Sequence, residues 1–222
     1  MSVNAVAGST DGLRSRKKRE TRQRISDTAT ALFIEHGFDQ VTVADVADAA
    51  GVSKVTVFNY FPRKEQLFFD RGDEAIALLR GALRSRRQGD SIPEAIRRLI
   101  LDLAEQRHPL SALRDGTQAF WLVVAASPTL MAAARAEVDA LEADVATVIA
   151  ADAGAHDGGP EPRLLAAFLI AACRVIYLYA VRRLLAGDSA DAIHADYVAL
   201  VNQAFTMIAA AAPLTSRSPA LG

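Results

Sequence analysis

The densest chemistry in this 222-residue chain lies close to its start. Between Arg14 and Arg24 stand seven basic residues and a single acid, Glu20, a local charge of +6 in a chain whose net charge is −1. The remainder therefore carries −7. A local basic block of this kind is the electrostatic footprint of a polyanion-binding surface, although an isolated block can equally be a solvated tail. Other reactive side chains are scattered. His36, His108, His156 and His194 show no metal-ligand spacing, so no metal site is expected. The one cysteine, Cys173, excludes an intrachain disulfide framework and multi-cysteine clusters, and its apolar setting favours a buried, inert thiol. No nucleophile elbow, phosphate-binding loop or dinucleotide fingerprint occurs, so no catalytic residues and no cofactor are expected.

The elements that would hold the basic block are helical. Apolar residues make up 51% of the chain and aromatics 6%, enough for a core and poor in strand formers. Residues 16–36 place Ile25, Ala29, Leu32 and Phe33 on one helical stripe, closed by Gly37. Thr42 and Asp45 read as a capping box opening a short helix that carries Val43, Val46, Ala47 and Ala50 inward. Gly51 ends it, Ser53 caps a third short helix, and Pro62 closes that one. A fourth helix is expected over residues 64–87. Further helices are expected over 93–106, 111–126, 128–153, 163–186 and 190–211, with a loop at 154–162. The fold class is all-α, with nine or ten helices.

Two short helices joined at a glycine have the dimensions of a helix-turn-helix, a motif that sets its second helix in the major groove of DNA. The string ALFIEHGFDQVTVADVADAAGVSKVTVFNYFPRKEQLF resembles the DNA-binding domain of the TetR family of bacterial transcription regulators, over residues 21–69. The resemblance implies a division into a flexible basic arm (1–15), a DNA-binding domain (16–70), a helical effector-binding and dimerisation domain (71–212) and a flexible tail (213–222). It implies roles as well. Thr42 and Lys64 correspond to phosphate contacts; Lys54, Val55 and Thr56 fall where base edges are read; Asn59 and Tyr60 fall on backbone or flanking bases. Ser53 is counted among the DNA-binding residues too, with a helix cap as its favoured role. Arg16, Lys17 and Lys18 of the arm would lie along phosphates or enter the minor groove. Phe58 departs from a frequent tyrosine whose hydroxyl meets a phosphate. Arg63 departs from a small polar residue. Val52, Val57 and Phe61 are assigned to the domain core.

For the remainder the resemblance implies a homodimer that leaves a palindromic operator when a small, largely apolar effector enters. Candidate pocket residues are Phe120, Trp121, Val124, Met131 and Arg135, with Arg107 and His108 as further polar anchors; ordinary core uses the same residue types. Candidate dimer residues are Leu165, Phe168, Leu169, Ala172, Ile176 and Tyr179 on one helix and Tyr197, Leu200, Val201, Ala204, Phe205 and Ile208 on the last, with intramolecular core as the competing role. The start of the chain is polar and lacks the pattern of a signal peptide. Arg174 interrupts the most membrane-like stretch, 164–181, so no membrane partner is expected and the location is cytoplasmic. Three alternatives remain open: a DNA-binding regulator without a small-molecule ligand, an activator, and a helical enzyme.

Overall fold

The computed structural model describes residues 7–114, 116–154 and 159–211. Among them are nine α-helices and no strand: α1 (Ala7–His36), α2 (Val43–Ala49), α3 (Lys54–Tyr60), α4 (Gly72–Arg84), α5 (Ile92–Glu105), α6 (Thr117–Ala126), α7 (Pro128–Asp152), α8 (Pro160–Leu185) and α9 (Ala190–Ala211). Two short 3-10 turns, Lys64–Leu67 and Pro109–Ser111, interrupt the series. The chain divides into two compact units. The first comprises residues 1–70 and 123–133, the second 71–122 and 134–222.

In the first unit, α1 lays Ile25, Ala29 and Phe33 against α2 and the turn that follows α3. Val46 and Ala47 from α2, Val57 from α3, and Phe61, Leu67 and Phe68 complete this small core. Phe33 stands edge-on to Phe38 at 5.0 Å and to Phe68 at 5.6 Å, an arrangement aromatic rings favour. The expected stripe, caps and breaks all appear in it. Gly37 and Gly51 adopt φ of 82° and 65°, values that side chains with a Cβ resist. The segment 123–133 also belongs to this unit. There Val124 and Leu130 are fully buried. Ser127 donates its hydroxyl to Asp39 at 3.3 Å.

Three helix boundaries differ from expectation. The basic stretch expected as a flexible arm is helical from Ala7, continuous with α1. Its Arg16 and Glu20 make an i, i+4 ion pair at 3.4 Å, a spacing that supports helix. The single helix expected over 64–87 is a 3-10 turn, a break, and then α4. Leu67 and Phe68 serve the first core, whereas Ile76, Leu79 and Leu83 serve the second. Their spacing satisfies one helical period, so periodicity could not reveal the break. The helix expected from 111 begins at Thr117, because Ala112 (φ 64°) and Gly116 (φ 85°) take left-handed conformations. The tail from 213 lies outside the described residues.

The second unit packs α9 between α8 and α5, with α4 against α5. Pro93 occupies the first turn of α5 behind the Ser91 cap. α8 is long and apolar enough to cross a membrane by length and composition. It uses Leu165, Leu169, Ile176, Ala180, Val181 and Leu184 to build the unit's core.

Candidate nucleic-acid interface

The start of α2 is held by a reciprocal cap. Asp45 N–H donates to Thr42 Oγ1 at 3.2 Å, while Thr42 donates its own N–H (2.7 Å) and its hydroxyl (2.8 Å) to the Asp45 carboxylate. The backbone N–H of Thr42, then its hydroxyl, hold the Asp45 carboxyl below the usual carboxylate range, with Lys54 and Lys64 adding attraction. The Thr42 hydroxyl, expected on a phosphate, is thus spent on Asp45 within the domain.

The turn from α2 to α3 passes through Gly51, where Val52 N–H reaches back to Ala47 O at 2.9 Å. Ser53 then caps α3 by accepting from Thr56 N–H at 3.0 Å, and the two hydroxyls share a 2.8 Å hydrogen bond. Ser53 is a cap, as favoured. Along the seven residues of α3 the faces separate cleanly. Lys54, Val55, Phe58 and Asn59 are exposed; Thr56 and Tyr60 are half-buried; Val57 is sealed in the core. Val55 is 68% exposed and Phe58 47%. Bare apolar side chains beside a lysine and an amide on one short helix are the mixture that reads base edges: methyl groups against thymine, donors against guanine and adenine.

The far end of α3 is anchored by a residue the sequence reading did not assign. Arg22 of α1 donates to Tyr60 O at 2.9 Å and Asp70 O at 3.4 Å, with its guanidinium 4.3 Å from the Phe61 ring centre. A helix C-terminus leaves carbonyls unpaired, and Arg22 fills one of them. No local pattern announces such a bond, because its acceptors are backbone atoms 38 and 48 positions away.

Lys64 is also placed differently from expectation. Its ammonium donates to Phe38 O and stands 4.1 Å from the Phe38 ring centre and 5.6 Å from that of Phe33. Burial lowers its pKa, opposed by Asp39, Glu65 and Asp45. It pins the loop before α2, and any phosphate must share that ammonium. Arg16, Lys17, Lys18 and Arg19 are all exposed on α1.

The candidate effector residues do not assemble within one unit. Phe120 and Trp121 belong to the second unit, Val124 and Met131 to the first, and Arg135 is exposed in the second. Arg107 pairs with Asp191, and His108 stands 3.4 Å from Glu74 while its ring accepts from Leu110 N–H. The dimer candidates are corrected more sharply. Leu165, Leu169, Ile176, Tyr197, Val201, Phe205 and Ile208 are buried in the core of their own chain, and Ala172, Tyr179, Leu200 and Ala204 pack against it. Of the twelve, Phe168 alone is exposed. Both faces of α8 are apolar, so composition could not say which face turns inward.

Residues 25–70 match the bacterial regulatory proteins of the tetR family. A relative from Mycobacterium tuberculosis, named for a regulatory role in mycofactocin biosynthesis, is 34% identical over 39% of this chain. That match spans 43% of the relative's own length. The transcriptional regulator TcmR of Streptomyces glaucescens is 29% identical over 74% of this chain and 75% of its own. NalD, the secondary repressor of the MexAB-OprM multidrug efflux pump in Pseudomonas aeruginosa, shares the fold. It aligns with a TM-score of 0.53 and 18% identity, covering 84% of this chain and 97% of NalD. The capped α2, the glycine turn and the outward face of α3 fall inside the segment that matches the tetR family of bacterial regulatory proteins.

Proposed function

We propose that the protein is a homodimeric repressor that binds a palindromic operator through α3 and releases it when a small, largely apolar molecule enters the second unit. The observation that carries the DNA-binding half is the outward face of α3. Lys54, Val55, Phe58 and Asn59 are bare on a helix whose start is capped by Ser53 and whose end is held by Arg22. Nothing in the packing of the domain requires a valine and a phenylalanine there, and exposed apolar side chains of this size mark an interaction surface. Lys54 and Asn59 supply directional donors. Arg16 to Arg19 supply the phosphate-facing charge, now as the exposed side of a helix rather than a loose arm. Thr42 acts by fixing the start of α2, and Tyr60 lies at the edge of the surface.

The dimer reading rests on what α8 and α9 leave uncovered. Leu164, Phe168 and Val175 follow one another at i, i+4 and i+11 on α8, and Met207 is bare on α9. Such a strip is the raw material of a four-helix interface between two copies, with the exposed Arg174 and Arg182 at its polar rim. A repressor of bacterial genes acts in the cytoplasm, where the DNA lies.

The deciding experiment is selection of genomic fragments bound by the purified protein, followed by footprinting. The expected result is a short set of fragments sharing an inverted repeat, since the half-sites mirror a two-fold protein. Uniform recovery of fragments irrespective of sequence overturns the reading.

A further inference from the structure

The outward face of α3 has an apolar centre and polar flanks. Lys54, Val55, Phe58 and Asn59 are the exposed residues of this helix. At about 100° of turn per residue, Phe58 and Val55 lie about 30° either side of the midline of that face, and Lys54 and Asn59 about 70° out, one on each flank. Val55 and Phe58 are three residues apart, so their side chains are neighbours on the helix surface. Val57 turns the opposite way and is sealed in the core. The two most prominent side chains of the face are therefore hydrocarbon, and the donors stand to either side of them.

Polar groups that could share the centre are spent or missing. The Ser53 and Thr56 hydroxyls share a 2.8 Å hydrogen bond, and Ser53 also accepts from Thr56 N–H. Thr56 and Tyr60 are half-buried on the inner side of the helix. α3 contains no carboxylate, the side chain that accepts from the cytosine amino group. The centre of the face is left to recognise apolar surface. In the major groove of DNA, that surface is the C5 methyl group of thymine. 5-Methylcytosine carries a methyl at the same ring position. Two hydrocarbon side chains form no hydrogen bond with a base, so they have no means of telling the thymine carbonyl from the methylcytosine amino group.

We propose that Val55 and Phe58 form a methyl-reading site whose ligand is the C5 methyl of a pyrimidine in each operator half-site, thymine and 5-methylcytosine alike. The site rests on the DNA-binding reading of α3 and names the base feature that its centre takes. Phe58 is then a specificity residue and not a backbone anchor, since a phenyl ring has nothing to donate to a phosphate. Lys54 and Asn59 read from the flanks, the ammonium on guanine acceptors and the amide on adenine. Three residues of helix rise about 4.5 Å and successive base pairs about 3.4 Å, so the methyl groups met by the two side chains lie on the same or adjacent base pairs. Operator binding thereby responds to DNA methylation: a methyl added to a cytosine at that place supplies the group the site takes.

The test uses an operator fragment recovered by the genomic selection and resynthesised with deoxyuridine for every thymidine, which removes the methyl groups and keeps the base pairing. One buried methyl is worth about fourfold in affinity, so one in each of two half-sites is worth about 15-fold. The expected result is about that loss on the uracil operator, traced by single replacements to one or two adjacent base pairs per half-site. Cytosine at those positions should weaken binding, and 5-methylcytosine should recover about fourfold per half-site over cytosine. The Val55→Ala/Phe58→Ala double variant should keep its Tm, since both positions are exposed. It should bind the thymine operator more weakly and lose most of the uracil penalty. Phe58→Tyr should weaken the thymine operator by setting a hydroxyl against a methyl. Equal affinity for the two operators, a penalty spread evenly over the site, no gain from 5-methylcytosine, a full penalty in the double variant, or a gain by Phe58→Tyr on both operators alike overturns the proposal. A protein that holds its operator but ignores the methyl groups loses this site only; one that binds no DNA loses the repressor reading itself.

Discussion

At the scale of single residues, the DNA-binding unit is organised by side chains that spend their hydrogen bonds on backbone. Thr42 and Asp45 fasten the start of α2, Ser53 the start of α3, and Arg22 its end. Thr42→Ala should cost about 1 kcal/mol of stability, the usual worth of an N-cap, whereas Thr42→Ser should restore it; thermal denaturation of both checks this. The cap also has a pH signature. The Asp45 carboxyl titrates lower in the folded protein than in the unfolded chain. Its contribution is therefore complete above the unfolded pKa and is lost as pH falls through the folded one. Asp45→Asn should flatten the fall in Tm on acidification. Arg22→Lys keeps the charge but not the planar fork that reaches two carbonyls and lies over Phe61. It should weaken operator binding more than it lowers Tm, as read by titration and melting of the same samples. Gly51→Ala meets no atom within 4 Å, so its cost is the left-handed backbone alone, about 1 kcal/mol.

At the scale of elements, the caps and breaks of α2 and α3 could be read from the sequence because each is a local pattern of a few residues. The α8 and α9 helices show where such reading ends. Their apolar positions repeat on more than one side, and only the packed chain distinguishes Leu165, Leu169 and Ile176, which turn inward, from Leu164, Phe168 and Val175, which do not. The break at residues 68–71 escaped for a related reason, since two cores happen to share one helical period. Lys64 and Arg22 were illegible because their acceptors are carbonyls far along the chain. The exposed strip makes a specific prediction. Phe168→Glu and Val175→Glu add charge to bare positions, so the fold should persist while the proposed dimer separates. Sedimentation should then show a monomer and circular dichroism an unchanged helix content. Leu169→Glu, by contrast, should unfold the second unit.

At the scale of the whole molecule, charge is divided against itself. The block from Arg14 to Arg24 carries +6 and the rest of the chain −7. Every phosphate neutralised releases counterions, so operator affinity should fall steeply with salt. Removing residues 1–19 should lower affinity for all sequences alike and flatten the salt slope; Lys54→Ala should instead relax sequence preference. An unchanged slope after truncation would take the start of α1 out of the DNA contact.

The first unit is not one continuous stretch of chain. Residues 123–133 belong with residues 1–70, with Val124 and Leu130 buried and Ser127 bonded to Asp39. A chimeric regulator made by splicing at residue 70 would transplant an incomplete module: the graft would arrive without its own elbow and meet a stranger's in its place. Recombination that exchanges 1–70 and 123–133 together keeps those partners matched. Chimeras of the two designs, compared for expression and operator binding, should differ accordingly, and new DNA specificities for this regulator should be assembled from the two-piece module.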